Sequence, residues 1–399
     1  MPAHPSMRPL LLLLLSGVLA ACQATGGAAR FDRLLLDDAI PGGYAVEAAD
    51  IDGDGLRDIV ALATSPAQFV WYRNPDWQKF AISTTAQGNI ATAPQDIDGD
   101  GDVDLVLASE FSLSDSTGGG LVQWFENPGN PREQQQWQAH DIDRIPTAHR
   151  VRWADVQGDN REELIVLPII GVGATAPEYA GGAQMRAYAV PAEPRGHWPW
   201  VIVDSTLEMA HALEVADWND DGREDLLTAS FTGIELFQLG FDGLFVSRIR
   251  LGEGKTGVRP ATGSSEVAMG RLYGERVLAA VEPWHGNEVV MYRQVGVDGE
   301  LWSREVIDTQ FQGAHALRMA DLNNDGNDEI LVGYRSAPFG LYALRHLPET
   351  GQWAMTSLNA SRVAVSGLLV EDFTGDGHLD VVAIGSSTGN LVLFENEGR

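Results

Sequence analysis

A single cysteine, Cys22, stands in 399 residues. The chain beyond it therefore has no disulfide and no thiolate zinc site. Basic residues are scarce too: 27 Lys and Arg face 56 Asp and Glu, a formal net charge of −29. A surface that acidic repels nucleic acid and anionic membranes. The apolar run at residues 10–15 is too short to span a bilayer as a permanent helix. No P-loop, nucleophile elbow or dinucleotide fingerprint occurs. What is abundant is Gly (44), Trp (11) and hydrophobic residues (44%), a composition that builds a core and many turns.

One motif organises the chain. Asp50-Ile51-Asp52-Gly53-Asp54-Gly55-Leu56-Arg57-Asp58 is followed by Asp96-Ile97-Asp98-Gly99-Asp100-Gly101-Asp102-Val103-Asp104, and weaker copies begin at Asp155, Asp217, Asp321 and Asp372. The interval from Asp217 to Asp321 spans two periods, and residues 267–278 fill it with a copy that has lost its acids. Each of these seven repeats has a short strand entering the loop, an apolar strand leaving it (59–62, 105–108), an aromatic third strand (69–72, 121–125) and a fourth that often starts at Trp (77–82, 137–142). Four such strands make one antiparallel blade, and a blade cannot bury both its faces alone. The chain ends on a third strand lacking its fourth, at 391–394, and begins at Phe31 with a fourth strand lacking a blade. The expected fold is an all-β, seven-bladed β-propeller over residues 31–399, closed by the N-terminal strand pairing into the last blade.

The loop spacing places oxygen ligands at positions 1, 3, 5 and 9. Hard oxygen donors in a flexible loop suit Ca2+. The expected ligands are Asp50, Asp52, Asp54 and Asp58; Asp96, Asp98, Asp100 and Asp104; Asp217, Asn219, Asp221 and Asp225; Asp321, Asn323, Asp325 and Glu329; Asp372, Thr374, Asp376 and Asp380. In the third loop (Asp155, Gln157, Asp159, Glu163) Asn160 replaces the turn glycine, and occupancy there is left open. The fifth loop is metal-free. An EF-hand is excluded, because its position 12 falls on Ala61 or Leu107 inside a strand. These loops, with endings such as Trp124-Phe125-Glu126-Asn127-Pro128-Gly129, resemble the FG-GAP/VCBS repeats that also build the integrin α propeller.

The N-terminus reads as a signal peptide at 1–21, with Arg8 before the apolar run. Leu19-Ala20-Ala21-Cys22 resembles the lipobox of bacterial lipoproteins. That resemblance implies a lipidated Cys22, a tether at 22–30 and, with Gln23 following, the outer membrane; otherwise the protein is periplasmic or secreted. The membrane is met only through that anchor, and a monomer is expected.

A second site is expected on the face opposite the Asp loops. Six residues before each loop's first Asp stand Tyr44, Ile90, His149, His211, His315 and Ser366. His285, in a loop of blade five, faces the same rim. Converging imidazoles bind Zn2+ or another divalent ion, or act as acid and base. His149, His211, His285 and His315 are therefore the candidate catalytic residues, with Tyr44 as partner. The His-Ala-Leu-x-x-Ala-Asp pattern at His211 and His315, with Glu282-Pro283-Trp284-His285-Gly286-Asn287, is similar to the propeller domain of aldos-2-ulose dehydratases. Two functions are expected from this face. One is binding of a carbohydrate, small molecule or protein at the channel mouth, at the cell surface. The other, implied by the resemblance, is a metal- or His-dependent sugar lyase, dehydratase or isomerase.

Overall fold

The computed structural model describes residues 27–239, 245–296, 300–310, 312–358 and 362–398. The signal sequence and Cys22 lie outside them. Blade one comprises β2 (Gly43–Ala49), β3 (Asp58–Thr64), β4 (Ala67–Arg73) and β5 (Gln78–Ser83), and blade two β6 (Ala91–Gln95), β7 (Asp104–Ser109), β8 (Leu121–Glu126) and β9 (Gln138–Arg144). Blade three is β10 (Ala148–Ala154), β11 (Glu163–Pro168), β12 (Ala183–Tyr188) and β13 (Trp200–Leu207). Blade four is β14 (Ala212–Ala216), β15 (Asp225–Ser230), β16 (Gly233–Leu239) and β17 (Phe245–Gly252). Blade five is β18 (Glu266–Leu272), β19 (Glu275–Glu282), β20 (Glu288–Arg293) and β21 (Ser303–Asp308). Blade six is β22 (Ala314–Ala320), β23 (Glu329–Tyr334), β24 (Gly340–Leu347) and β25 (Gln352–Ser357). Blade seven is β26 (Val365–Glu371), β27 (Asp380–Gly385) and β28 (Leu391–Asn396), completed by β1 (Phe31–Asp37).

The expected closure is observed: β1 runs antiparallel to β28, with Phe31 opposite Asn396 and Leu34 opposite Leu393. The first strands form the inner ring, β2 touching β6 and β26, and so on around the circle. Second strands such as Asp58–Thr64 and Glu329–Tyr334 are almost wholly buried. They lie between two neighbouring blades, so they are apolar on both faces rather than alternating.

Sequence reasoning placed the start of the fourth strands at Trp. In the structure they begin at Gln78, Gln138, Trp200, Ser303 and Gln352. Trp137 and Trp302 precede their strands and reach back instead. Their main-chain amides donate to Ile82 O (2.9 Å) and Leu251 O (2.8 Å) of the preceding blade, and their rings plug the joint.

The Asp loops share one backbone. Positions 4 and 6 both take positive φ: Gly53 and Gly55 (71° and 89°), Gly158 and Asn160 (69° and 64°), Asp220 and Gly222 (57° and 83°), Asn324 and Gly326 (54° and 86°). Asn and Asp tolerate the left-handed region better than other non-glycine residues. Loop three thus keeps the turn despite Asn160. The acid-free fifth loop is a two-residue hairpin, Tyr273-Gly274, with both φ positive (54° and 80°).

The ninth acid of the loops ties the blade together. Asp104 accepts main-chain amides from Ile97 (3.0 Å) and Asn127 (2.7 Å). The Asn127 amide group then donates to Val103 O (3.0 Å) and, across the joint, to Ile51 O of blade one (2.9 Å). Asn74 makes the same bonds to Arg57 O and Phe373 O, and Asn396 to Leu379 O and Leu322 O. These asparagines pin three consecutive joints, from blade six through the closing blade to blade two. Asn127→Ala leaves a buried carbonyl unpaired and should cost about 1–3 kcal/mol in chemical denaturation. Asn127→Asp, which faces two carbonyls with a carboxylate, should cost more. Equal stability of Asp and wild type would refute the donor role.

Candidate functional site

Strand register shows how the ring assembles the centre. Val215 pairs with Leu226, and Gly270 pairs with Val277. Four residues before each are His211 and Glu266. Glu266 is therefore blade five's equivalent of Tyr44, Ile90, His149, His211, His315 and Ser366. Counting back from the loop's first Asp could not find it, because loop five has no such Asp. Counting from the second strand would have.

The four expected histidines meet. His211 lies 4.7 Å, centroid to centroid, from both His149 and His285, and 5.1 Å from His315. His211, His285 and His315 each offer a ring nitrogen within 4.8 Å of the others. His149 stands beside this trio, paired to Tyr44, whose hydroxyl is 2.9 Å from its Nε2 and 3.5 Å from His315 Nε2.

The hydrogen bonds assign the tautomers. His211 Nδ1 faces Ser265 O (3.1 Å) and a carboxylate oxygen of Glu266 (2.7 Å), and His315 Nδ1 faces Ser366 O (2.8 Å). Carbonyl oxygens only accept, so both Nδ1 atoms carry protons and both Nε2 atoms keep lone pairs. The Arg335 guanidinium donates to His285 Nδ1 (3.2 Å), and His285 Nε2 lies 3.0 Å from His211 Nε2. Burial holds all four imidazoles well below the usual histidine range, and the neighbouring Arg150 and Arg335 add to the effect. Burial likewise pushes Glu266 up to about 7. With Arg335 donating to its Nδ1, neutral His285 carries its proton on Nε2 and donates it to His211 Nε2. The Nε2 lone pairs of His211 and His315 fit a borderline divalent ion such as Zn2+, with His285 as third ligand once that proton leaves.

The centre is roofed rather than open at a channel mouth: His149, His211 and His315 are at most 2% exposed. Trp284 stacks on His285 (4.3 Å) and Phe111 leans on His149 (5.6 Å). The long loops at 111–120 and 169–183 join above them through Ser116 Oγ to Ala174 O (2.8 Å) and an apolar cluster around Ile169, Ile170 and Phe231. Below lies a cavity of about 50 Å3 lined by Tyr44, Glu47, Arg150, Arg152, Glu214, Glu266, His315 and Arg318, among others. Two residues that end second strands on this face, Glu282 of β19 and Tyr334 of β23, point away from the centre. Glu282 is sequestered by Tyr292 (2.6 Å) and Ser264 (2.9 Å), and Tyr334 is buried against Asp308.

On the other face, three carboxylates converge in loops one and two: Asp50, Asp52 and Asp58, and Asp96, Asp98 and Asp104. Both carboxylate oxygens of Asp52 and Oδ1 of Asp98 are buried without a hydrogen bond. Burial, reinforced by neighbouring acids, pushes Asp58 and Asp104 up to about 7 and Glu329 to about 8. Each trio has only one arginine nearby, Arg132 at 3.4 Å from Asp52 and Arg195 at 3.4 Å from Asp98, so three carboxylates outnumber the cation and the donor set fits Ca2+. Asp54 and Asp100 lie outside these trios. In loop four Asp221 turns to Arg223 (2.6 Å), and in loop three Asp159 turns to Arg161 (2.6 Å). Asp217, Asp321 and Asp372 each accept amides from positions 5 and 6 of their own loops, as Asp50 does.

Residues 119–295 match the family described as aldos-2-ulose dehydratase, beta-propeller domain, and residues 50–107 match the FG-GAP-like repeat. The first segment contains His149, His211, Glu266 and His285. The chain is 26% identical over 346 residues to the aldos-2-ulose dehydratase of Phanerodontia chrysosporium, covering 77% of this chain and 38% of that protein. The chain thus spans well under half of that relative's length. Two solved structures share the fold. One is BBS1N in complex with ARL6DN (TM-score 0.56, 14% identity, 92% of this chain and 97% of that one). The other is an Agrocybe aegerita lectin, described for recognition of non-reducing terminal N-acetylglucosamine (TM-score 0.51, 15% identity, 88% and 93%).

In metal-stripped protein the four histidines should stay neutral at pH 6, read by 15N shifts. The unfolded chain binds protons near 6.5 where the native centre does not. Stability should therefore fall as pH drops below about 6.5, by at most ~1.4 kcal/mol per pH unit for each buried imidazole. Imidazolium signals at pH 6 would contradict the assignment.

Proposed function

We propose that this propeller is a sugar-converting enzyme of the dehydratase type, with a divalent ion at the histidine trio and structural Ca2+ in the acidic loops. The observation that carries the reading is the buried meeting of three neutral imidazoles, two of them with lone-pair Nε2 atoms, with a Tyr–His pair and a carboxyl group. The family match across three of these histidines and Glu266 supports it. A bound ion of the zinc type would supply Lewis-acid polarisation of a sugar carbonyl.

The chain's own groups divide the proton work. Tyr44 takes the proton from the carbon beside the carbonyl while its own hydroxyl proton passes to His149. The new C=C bond forms as the neighbouring C–O bond breaks, and protonated Glu266 gives the departing hydroxyl its proton, releasing water. The reactive volume is small, about 50 Å3. That is room for a few waters, so a sugar reaches the imidazoles only when side chains around them, such as the Phe111 and Trp284 roof, move aside.

The two metal classes separate experimentally. Purified protein should carry one zinc-like ion that His211→Ala plus His315→Ala removes while calcium stays. Tyr44→Phe should lower water elimination from aldos-2-uloses, followed as enone absorbance, by about 10²–10⁴-fold. Calcium alone, with no turnover, would favour a non-catalytic binding propeller. Chelating calcium should lower the melting temperature, since an ion held at 100 times its Kd adds about 2.7 kcal/mol per site. Asp52→Asn should remove part of that response, and a melt unchanged by chelator would remove the calcium claim.

A further inference from the structure

The charges lining the channel do not balance. Arg152 faces Glu47 at 3.5 Å, Arg318 faces Glu214 at 3.1 Å, and Arg150 faces Glu266 at 3.4 Å. Arg335 is the exception. Among the described residues it has no carboxylate within 4.0 Å, and its side chain donates to the neutral His285 Nδ1 at 3.2 Å. Its position is fixed, since its main-chain amide is held by Gly313 O at 3.0 Å. A half-buried guanidinium without a counter-ion is costly unless something else supplies the anion. The mismatch lies at the imidazoles, where Tyr44, His149 and Arg150 also gather.

We infer that the histidine centre accepts sugars bearing an anionic group, a carboxylate or a phosphate, and that Arg335 with Arg150 receives that group. The inference rests on the reading of this centre as a sugar site. It narrows the substrate class by charge: one face of the sugar is oriented by guanidinium forks, which match carboxylate and phosphate oxygens in pairs. The sugar's carbonyl end is left toward Tyr44 and the trio. Arg335 is thus the specificity-determining residue, with Arg150 assisting when Glu266 is protonated, while Arg152 and Arg318 stay with Glu47 and Glu214.

The test is calorimetric titration of the metal-loaded full chain with D-glucuronate, its neutral isostere D-glucuronamide, and glucose 6-phosphate. Wild type should bind one of the anions at least about ten-fold more tightly than the amide, in keeping with the strength of charge-assisted pairs. Whether glucuronate or the phosphate binds better identifies the anionic group. Arg335→Gln should bring anion and amide to within about two-fold at unchanged metal content, and Arg335→Lys should restore part of the preference. Equal binding of acid and amide, no binding of either anion, or a preference that survives in Arg335→Gln would overturn the inference. The wild-type comparison stands even if Arg335→Gln fails to fold. Anion-selective binding without turnover would sink the dehydratase reading and leave this inference in place.

Discussion

A carboxylate buried at the end of each Asp loop is the constraint on which the ring depends. Asp58, Asp104 and Asp380 each accept the amide of the second loop residue and the amide of an asparagine at or just past the end of the third strand. One side chain thereby fixes the hairpin between strands one and two and the exit of strand three. The asparagine then carries the constraint across the joint to the preceding blade. Because the same acid is raised toward neutral by its buried, acidic surroundings, a cation bound in the loop would stabilise the fold and its charge state together.

This geometry also makes the second face. Inner strands enter the loops in a common register, so residues four positions before the same ladder pair arrive at one level of the ring. Tyr44 and His315 are 271 positions apart in sequence yet stand within 3.5 Å. Closure by β1 is what brings blades one and six within reach of each other on opposite sides of blade seven. The loops that roof the centre have no part in that register. Their apolar residues bury the imidazoles and strip them of protons, which is what a metal ligand or a neutral base requires.

Much of this was legible from repetition. The recurring loop fixed blade count and strand order, and the unmatched terminal strands foretold the closure. Histidines at equal spacing announced the centre. Other features could not be read the same way. Glu266 hid because its repeat lacks the acid used as the counting mark. Asn74, Asn127 and Asn396 act across joints, and their partners are main-chain carbonyls that leave no trace in side-chain identity. The tryptophans read as strand residues because aromatic rings suit strands, whereas Trp137 and Trp302 are joint plugs placed one residue earlier. Burial of the centre was hidden as well, since long loops can wall a pocket or cover it, and only the contacts of Phe111 and Trp284 decide between them.

The central claim is that one closed circle holds two chemically distinct cation environments, oxygen-lined on one face and nitrogen-lined on the other. Anomalous diffraction from crystals of the protein loaded with calcium and zinc, collected on both sides of the zinc edge, tests it most directly. The account predicts an edge-dependent peak bonded to ring nitrogens of His211, His285 and His315, and edge-independent peaks beside Asp52 and Asp98. Zinc found only among the aspartates, with no density between the imidazoles, would contradict it.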